Sequence, residues 1–145
     1  MSDNAAAHAA PTADEVWGSL VRVVFDGRDA WRRAVVERSG LPFSRVRVLR
    51  RLADHGPVTL KELAHAATID APAATVAVND LEKRGLVVRD TDPTDRRSKR
   101  VSITDAGRAV IATIEATPDP PPAPLHEFTA DELRDLADML RRLHT

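Results

Sequence analysis

From Ala13 to about Arg38, apolar residues recur at the spacing of one helix face: Trp17, Leu20, Val21, Val24, Trp31 and Val35. Arg22, Arg28, Arg32, Arg33 and Arg38 fall mostly elsewhere on the same wheel. The segment predicts a long amphipathic helix with Gly27 as its weakest point. Ser39-Gly40-Leu41-Pro42 ends it, because Pro42 disfavours helical backbone at Leu41. Val46, Val48, Leu49 and Leu52 mark a second helix from about Ser44 to Asp54, closed by His55-Gly56-Pro57. Thr59-Leu60-Lys61-Glu62 has the form of a capping box and opens a short helix to about Ala67. Asp70 caps the next helix, which tolerates Pro72 in its first turn and runs to Arg84, where Gly85 stops it. Two helices separated by only about three residues predict a helix-turn-helix.

Beyond Gly85 the periodicity changes. Leu86-Val87-Val88-Arg89 and Val101-Ser102-Ile103 are short and β-like, and residues 92–100 join them. The expected product is a hairpin whose tip carries Arg96, Arg97, Lys99 and Arg100. Asp105 to about Ala116 reads as a further helix, with Val110, Ile111 and Ile114 apolar. Thr117 to Pro124 is broken by proline and should be extended and stiff, a spacer more readily than a ligand for a proline-binding module. Thr129-Ala130-Asp131-Glu132 is a second capping box, and Leu133, Leu136, Leu140 and Leu143 behind it form one stripe. The order predicts a mainly α fold with a small β-hairpin wing. It divides into a loose tail (1–12), an N-terminal helix (13–38), a winged helix-turn-helix (39–104) and C-terminal helices (105–145) interrupted at 117–124.

Composition narrows the chemistry. At 145 residues, with 43% hydrophobic and 30% charged, the chain is long enough for one domain, or one domain with a helical appendage. Aromatics are 3% and tyrosine is absent, which argues against a base-stacking platform for single strands or RNA. With no cysteine there is no disulfide, thiolate zinc site or thiol switch, which fits a reducing cytoplasm. No apolar run approaches the ~18–20 residues of a membrane span, and residues 1–13 lack the pattern of a signal peptide. The net charge is −1, so any nucleic-acid contact must come from a local patch. The cationic hairpin tip is such a patch. It suits a polyanion with a groove, meaning duplex DNA; a merely solvated loop is the alternative.

Glu62 and His65 stand three apart on one helix with His55 before it, but without cysteine or an H-x-x-x-H spacing no metal site is expected, and no cofactor. A nucleophile elbow and a phosphate-cradling glycine loop are both missing, and Asp92, Asp95, Asp131 and Glu132 read as turn and capping residues, so no enzyme is expected.

Three motifs, in order, carry a resemblance: Leu81-Glu82-Lys83-Arg84-Gly85-Leu86-Val87, then Asp92-Pro93-x-Asp95-Arg96-Arg97-Ser98, then Val101-x-Ile103-Thr104-x-x-Gly107. From about Val16 to its end the chain resembles the MarR (multiple antibiotic resistance regulator) family of winged helix-turn-helix transcription factors. The resemblance implies a cytoplasmic homodimer on a palindromic double-stranded operator, most often a repressor, with N- and C-terminal dimerisation helices. It implies that Asp95 braces Arg97, which enters the minor groove, and that Arg96, Lys99 and Arg100 contact phosphates. It places the helix from Asp70 in the major groove, with Ala71, Pro72, Ala73, Thr75, Val76 and Asn79 toward DNA. Here the chain departs from the family pattern, which has polar or basic residues at several of these positions. Only Thr75 and Asn79 can hydrogen-bond to a base edge without carrying charge. Trp17, Leu20 and Val24 of the first helix and Leu133, Leu136, Leu140 and Leu143 of the last are the expected dimer interface. A small aromatic effector is implied too, for which Trp17 and Trp31 could line a pocket; the plainer reading is that both are core. The competing function is a winged-helix protein-interaction module that has lost DNA reading.

Overall fold

The computed structural model describes residues 9–144. The first eight residues of the expected tail lie outside that range. Six α-helices are described: α1 (Ala13–Ser39), α2 (Phe43–His55), α3 (Leu60–Ala67), α4 (Ala71–Lys83), α5 (Asp105–Glu115) and α6 (Ala130–Arg141). Three strands, β1 (Val58–Thr59), β2 (Val87–Thr91) and β3 (Lys99–Ile103), accompany them. Contacts divide the chain into two compact units, Trp31–Pro118 and a second made of the chain up to Ala30 and from Asp119 onward.

The first unit is the winged helix. Its core is aliphatic: Leu41, Val46, Leu49, Leu52, Leu63, Val78, Leu81 and Val101 are all at most 2% exposed. Trp31 closes one side, its ring edge-on to Phe43 with centroids 6.0 Å apart. The helix ends follow local chemistry. Thr59 accepts the Glu62 amide at 3.2 Å while the Glu62 carboxylate accepts the Thr59 amide at 2.8 Å. The Asp70 carboxylate accepts the Ala73 amide at 2.7 Å. Between α3 and α4 the turn passes through Thr68 at φ 55°, a left-handed position that an L side chain occupies at a cost. After α4, Gly85 at φ 73° lets the Leu86 amide return to the Leu81 carbonyl at 3.0 Å. Asp80 joins α2 to the end of α4, accepting from Arg45 at 2.9 Å and from Arg84 at 3.1 Å, which together lower its pKa.

The hairpin is part of a three-stranded antiparallel sheet in the order β1-β3-β2. β2 and β3 pair from Val87↔Ile103 to Thr91↔Lys99. β1 adds Val58↔Val101 and Thr59↔Arg100 to the other edge of β3. That strand is too short to show a period of two, so the sequence pattern did not predict it. Where β3 enters α5, Thr104 donates its amide to the Leu86 carbonyl at 3.0 Å and its hydroxyl to the Gly85 carbonyl at 2.7 Å. This brings Gly107 against the Leu86 backbone.

The second unit holds most of α1 and all of α6. α1 runs through Gly27 without a break and opens on a capping box, Thr12 with Glu15, that the hydrophobic pattern did not reveal. Arg28 pairs with Asp119. The proline segment is not extended throughout, since Ala123–Glu127 winds into a turn of 3-10 helix. The Thr129–Glu132 capping box forms as expected. Among the described residues of this unit, none is buried.

Candidate nucleic-acid interface

The wing tip is built on Asp92. This carboxylate is 6% exposed and accepts three bonds: Arg100 Nε at 2.9 Å, the Thr94 amide at 2.9 Å and the Thr94 hydroxyl at 2.8 Å. Its amide donates to the Ser98 carbonyl at 2.9 Å and closes the loop. The Arg100 guanidinium, then the Thr94 donors, pull the Asp92 carboxyl from its ordinary 3.8 down to about 2. Arg100 also donates to the Pro57 carbonyl at 3.2 Å, tying the wing to the segment before β1. The sequence placed Arg100 among the phosphate contacts; the structure gives it an internal bracing role through Asp92 and Pro57.

Asp95 also differs from the expectation. Its carboxylate accepts the backbone amide of Arg97 at 3.0 Å, a turn-forming bond, and does not hold the guanidinium. It fixes where the Arg97 side chain leaves the loop and leaves that side chain's donors available. Arg96, Arg97 and Lys99 are exposed, and their side chains have no hydrogen bond or ion pair among the described residues. The tip therefore presents three solvated cations on a loop whose backbone is tied by Asp92 and Asp95.

On α4, Ala74, Ala77, Val78 and Leu81 face the core. Ala71, Pro72, Ala73, Val76 and Asn79 are exposed, with Val76 at 58%. Thr75 is half-buried and donates its hydroxyl to the Ala71 carbonyl at 3.0 Å, so its proton serves the helix itself. Asn79 accepts a hydrogen bond from Arg89 of β2, whose Nε lies 3.9 Å from the Glu82 carboxylate. Arg89 was read only as part of a strand. Its parity with the buried Val87, two residues earlier on the same sheet face, is the signal that pointed it at α4.

Residues 41–99 match the family model for the MarR family. The RV1404 protein from Mycobacterium tuberculosis superposes with a TM-score of 0.76 at 22% identity, covering 95% of this chain and 96% of that one. Wild-type MarR from E. coli gives a TM-score of 0.68 at 23% identity, over 94% and 98%. A MarR-like transcriptional regulator from Thermotoga maritima gives 0.64 at 27% identity, over 92% and 95%. This winged helix is a MarR-family domain.

MarR-family members are transcription regulators and not enzymes. In this MarR-type chain the remaining candidates separate by unit. Trp31 belongs to the winged core at 8% exposure, with Arg50 over its ring at 5.7 Å. Trp17 is 66% exposed, which contradicts the reading of both tryptophans as core. An open groove of about 400 Å³ in the second unit is lined by Val23, Val24, Gly27, Arg28, Asp119 and the prolines 120–122, with neither tryptophan in its wall. Of the residues expected at a dimer interface, Trp17, Val24, Leu133, Leu140 and Leu143 are exposed, Val24 at 57% and Leu143 at 64%. Leu20 and Leu136 are half-buried. No group of histidines and carboxylates suited to a metal occurs among the described residues, and the Glu62 carboxylate is engaged in its capping box. Among the described residues no helix is long and apolar enough to cross a membrane.

Proposed function

We propose that the protein is a homodimeric regulator that binds a palindromic double-stranded operator and represses transcription until a small aromatic effector releases it. The observation that carries the DNA-binding part is the wing tip: Arg96, Arg97 and Lys99 stand exposed, without side-chain partners among the described residues, on a loop braced from within. A guanidinium held this way suits the narrow, electronegative minor groove beside a half-site, with Arg97 entering and Arg96 and Lys99 on phosphates. α4 then lies in the major groove with Thr75, Val76 and Asn79 toward the bases and Ala71, Pro72 and Ala73 against the backbone.

Dimerisation is supported by the second unit. Val16, Trp17, Val23, Val24, Phe25, Leu133, Met139, Leu140 and Leu143 are all more than a third exposed there. A surface of that character is covered in a stable protein, and a two-fold contact through α1 and α6 covers it while placing two α4 helices for two half-sites. One feature favours a second reading. The apolar exposed face of α4, centred on Val76, would also serve a protein partner. Light scattering at micromolar concentration should give twice the 15.8 kDa chain mass. Binding to duplex on the same sample should weaken steeply with salt, by about 0.9 log units per log salt for each phosphate contacted. A monomer overturns the dimer, and a flat salt dependence favours the protein-interaction module.

A further inference from the structure

Asn79 sits at the centre of the exposed face of α4, opposite Ala74, Val78 and Leu81, and is the one uncharged side chain there whose polar end projects free of the helix backbone. Its amide is not free to turn. An arginine carries only donors, so the group that meets Arg89 must be Oδ1, and the amide nitrogen is forced to the other side. Arg89 comes from β2, its side chain is about a quarter exposed, and Glu82, one helical turn beyond Asn79, lies 3.9 Å from its Nε, which has no hydrogen-bond partner among the described residues. The Asn79 Nδ2 has no acceptor among the described residues.

We infer that Arg89 is a positioning residue that converts Asn79 into a donor-only reader of the major groove, selecting guanine over adenine at one base pair of each half-site. An unrestrained asparagine reads adenine with both ends, accepting from N6 and donating to N7. With Oδ1 turned toward Arg89, the pose in which one amide offers both its acceptor and its donor to the same adenine edge is lost, and an outward NH2 group meets the adenine N6 donors unfavourably. Guanine presents two adjacent acceptors, N7 and O6, and suits two N–H donors. Thymine, with O4 alone and a methyl group beside it, is the second choice. The inference rests on the placement of α4 in the major groove proposed above and adds which edge it recognises there.

Selection of duplexes from a random library tests it, with the full-length wild type and with Asn79→Ala, Asn79→Asp and Arg89→Met. The position whose preference disappears in Asn79→Ala is the one Asn79 reads. There the wild type should enrich guanine over adenine by at least about fivefold, the lower end expected of a direct base contact. Arg89→Met frees Oδ1 and should move the preference to adenine, leaving the other positions of the motif unchanged. A merely structural arginine would instead weaken every position alike. Asn79→Asp keeps the partner of Arg89 but loses both donors, so guanine preference should vanish even if Arg89→Met proves unstable. Wild-type selection of adenine at that position, or an unaltered motif in Asn79→Asp, overturns the inference. Salt-dependent binding of wild type to bulk duplex separates that failure from failure of the DNA-binding reading, which alone would abolish it.

Discussion

Asp92 and Arg100 face each other across the neck of the wing, and their pairing sets a pH dependence. The Asp92 carboxyl is held at about 2, below its ordinary 3.8, so the folded hairpin favours the charged form. The resulting stabilisation is complete above the ordinary value and is lost as pH falls from there toward 2. Protection of the Asp92 and Ser98 amides from exchange should hold from neutral pH down to the ordinary carboxylate range and collapse below it. Asp92→Asn should lower that protection already at neutral pH, with the helices of the winged unit unaffected. Equal protection in the variant would show that the carboxylate does not brace the loop. Much of this was legible in the sequence, since Asp92 and Asp95 read as turn residues from their place beside Pro93 and Arg96. Two partnerships were not. Asp95 accepts from the Arg97 amide and not from its guanidinium, and Arg100 joins Asp92 across the strands, because spacing brings residues near without stating which atoms meet.

At the scale of elements, the close approach of α5 to the wing is the tightest constraint. A Cβ on Gly107 would lie 2.2 Å from the Leu86 carbonyl oxygen and 2.6 Å from Ile103 Cγ1, and the first of these is backbone that cannot swing aside. Gly107→Ala should therefore cost about 1–3 kcal/mol, read as a lower urea midpoint with an unchanged slope, with loss of the Thr104–Leu86 contact. An unchanged midpoint would mean that α5 docks more loosely than described. Glycine at this place was visible in the wing-exit motif; its reason was not, because the clash involves a residue 21 positions earlier. The capping boxes at Thr59 and Thr129 were readable because both partners lie within four residues. The same pattern at Thr12 and Glu15 was equally local and passed unrecognised beside the alanine-rich start. The expected helix runs on through Gly27, since one glycine costs about 1 kcal/mol against a helix of 27 residues.

For the whole molecule, a net charge of −1 is reconciled with a DNA-binding reading by where charges are cancelled. Arg28, Arg45, Arg84, Arg89, Arg100, Arg134 and Arg141 are paired with carboxylates, whereas Arg96, Arg97 and Lys99 have no such partner among the described residues. The fold class was legible because the helices and the hairpin of the winged unit have local signatures, whereas the two-residue β1 has none. The dimer proposed here was legible only as an apolar stripe, because the chain positions of Leu133, Leu140 and Leu143 do not say what would cover them. On this account the wing carries an unusually large share of affinity, since α4 offers Asn79 and little else to base edges. Titrating wild type, Arg97→Ala, Thr75→Ala and Lys99→Ala against one operator at several salt concentrations tests that claim most directly. Arg97→Ala should cost on the order of 1–3 kcal/mol per half-site, Thr75→Ala less, and Lys99→Ala should flatten the salt slope by about one unit per protomer. Arg97→Ala binding like wild type while Thr75→Ala loses the operator would make the helix the principal reader and contradict the account.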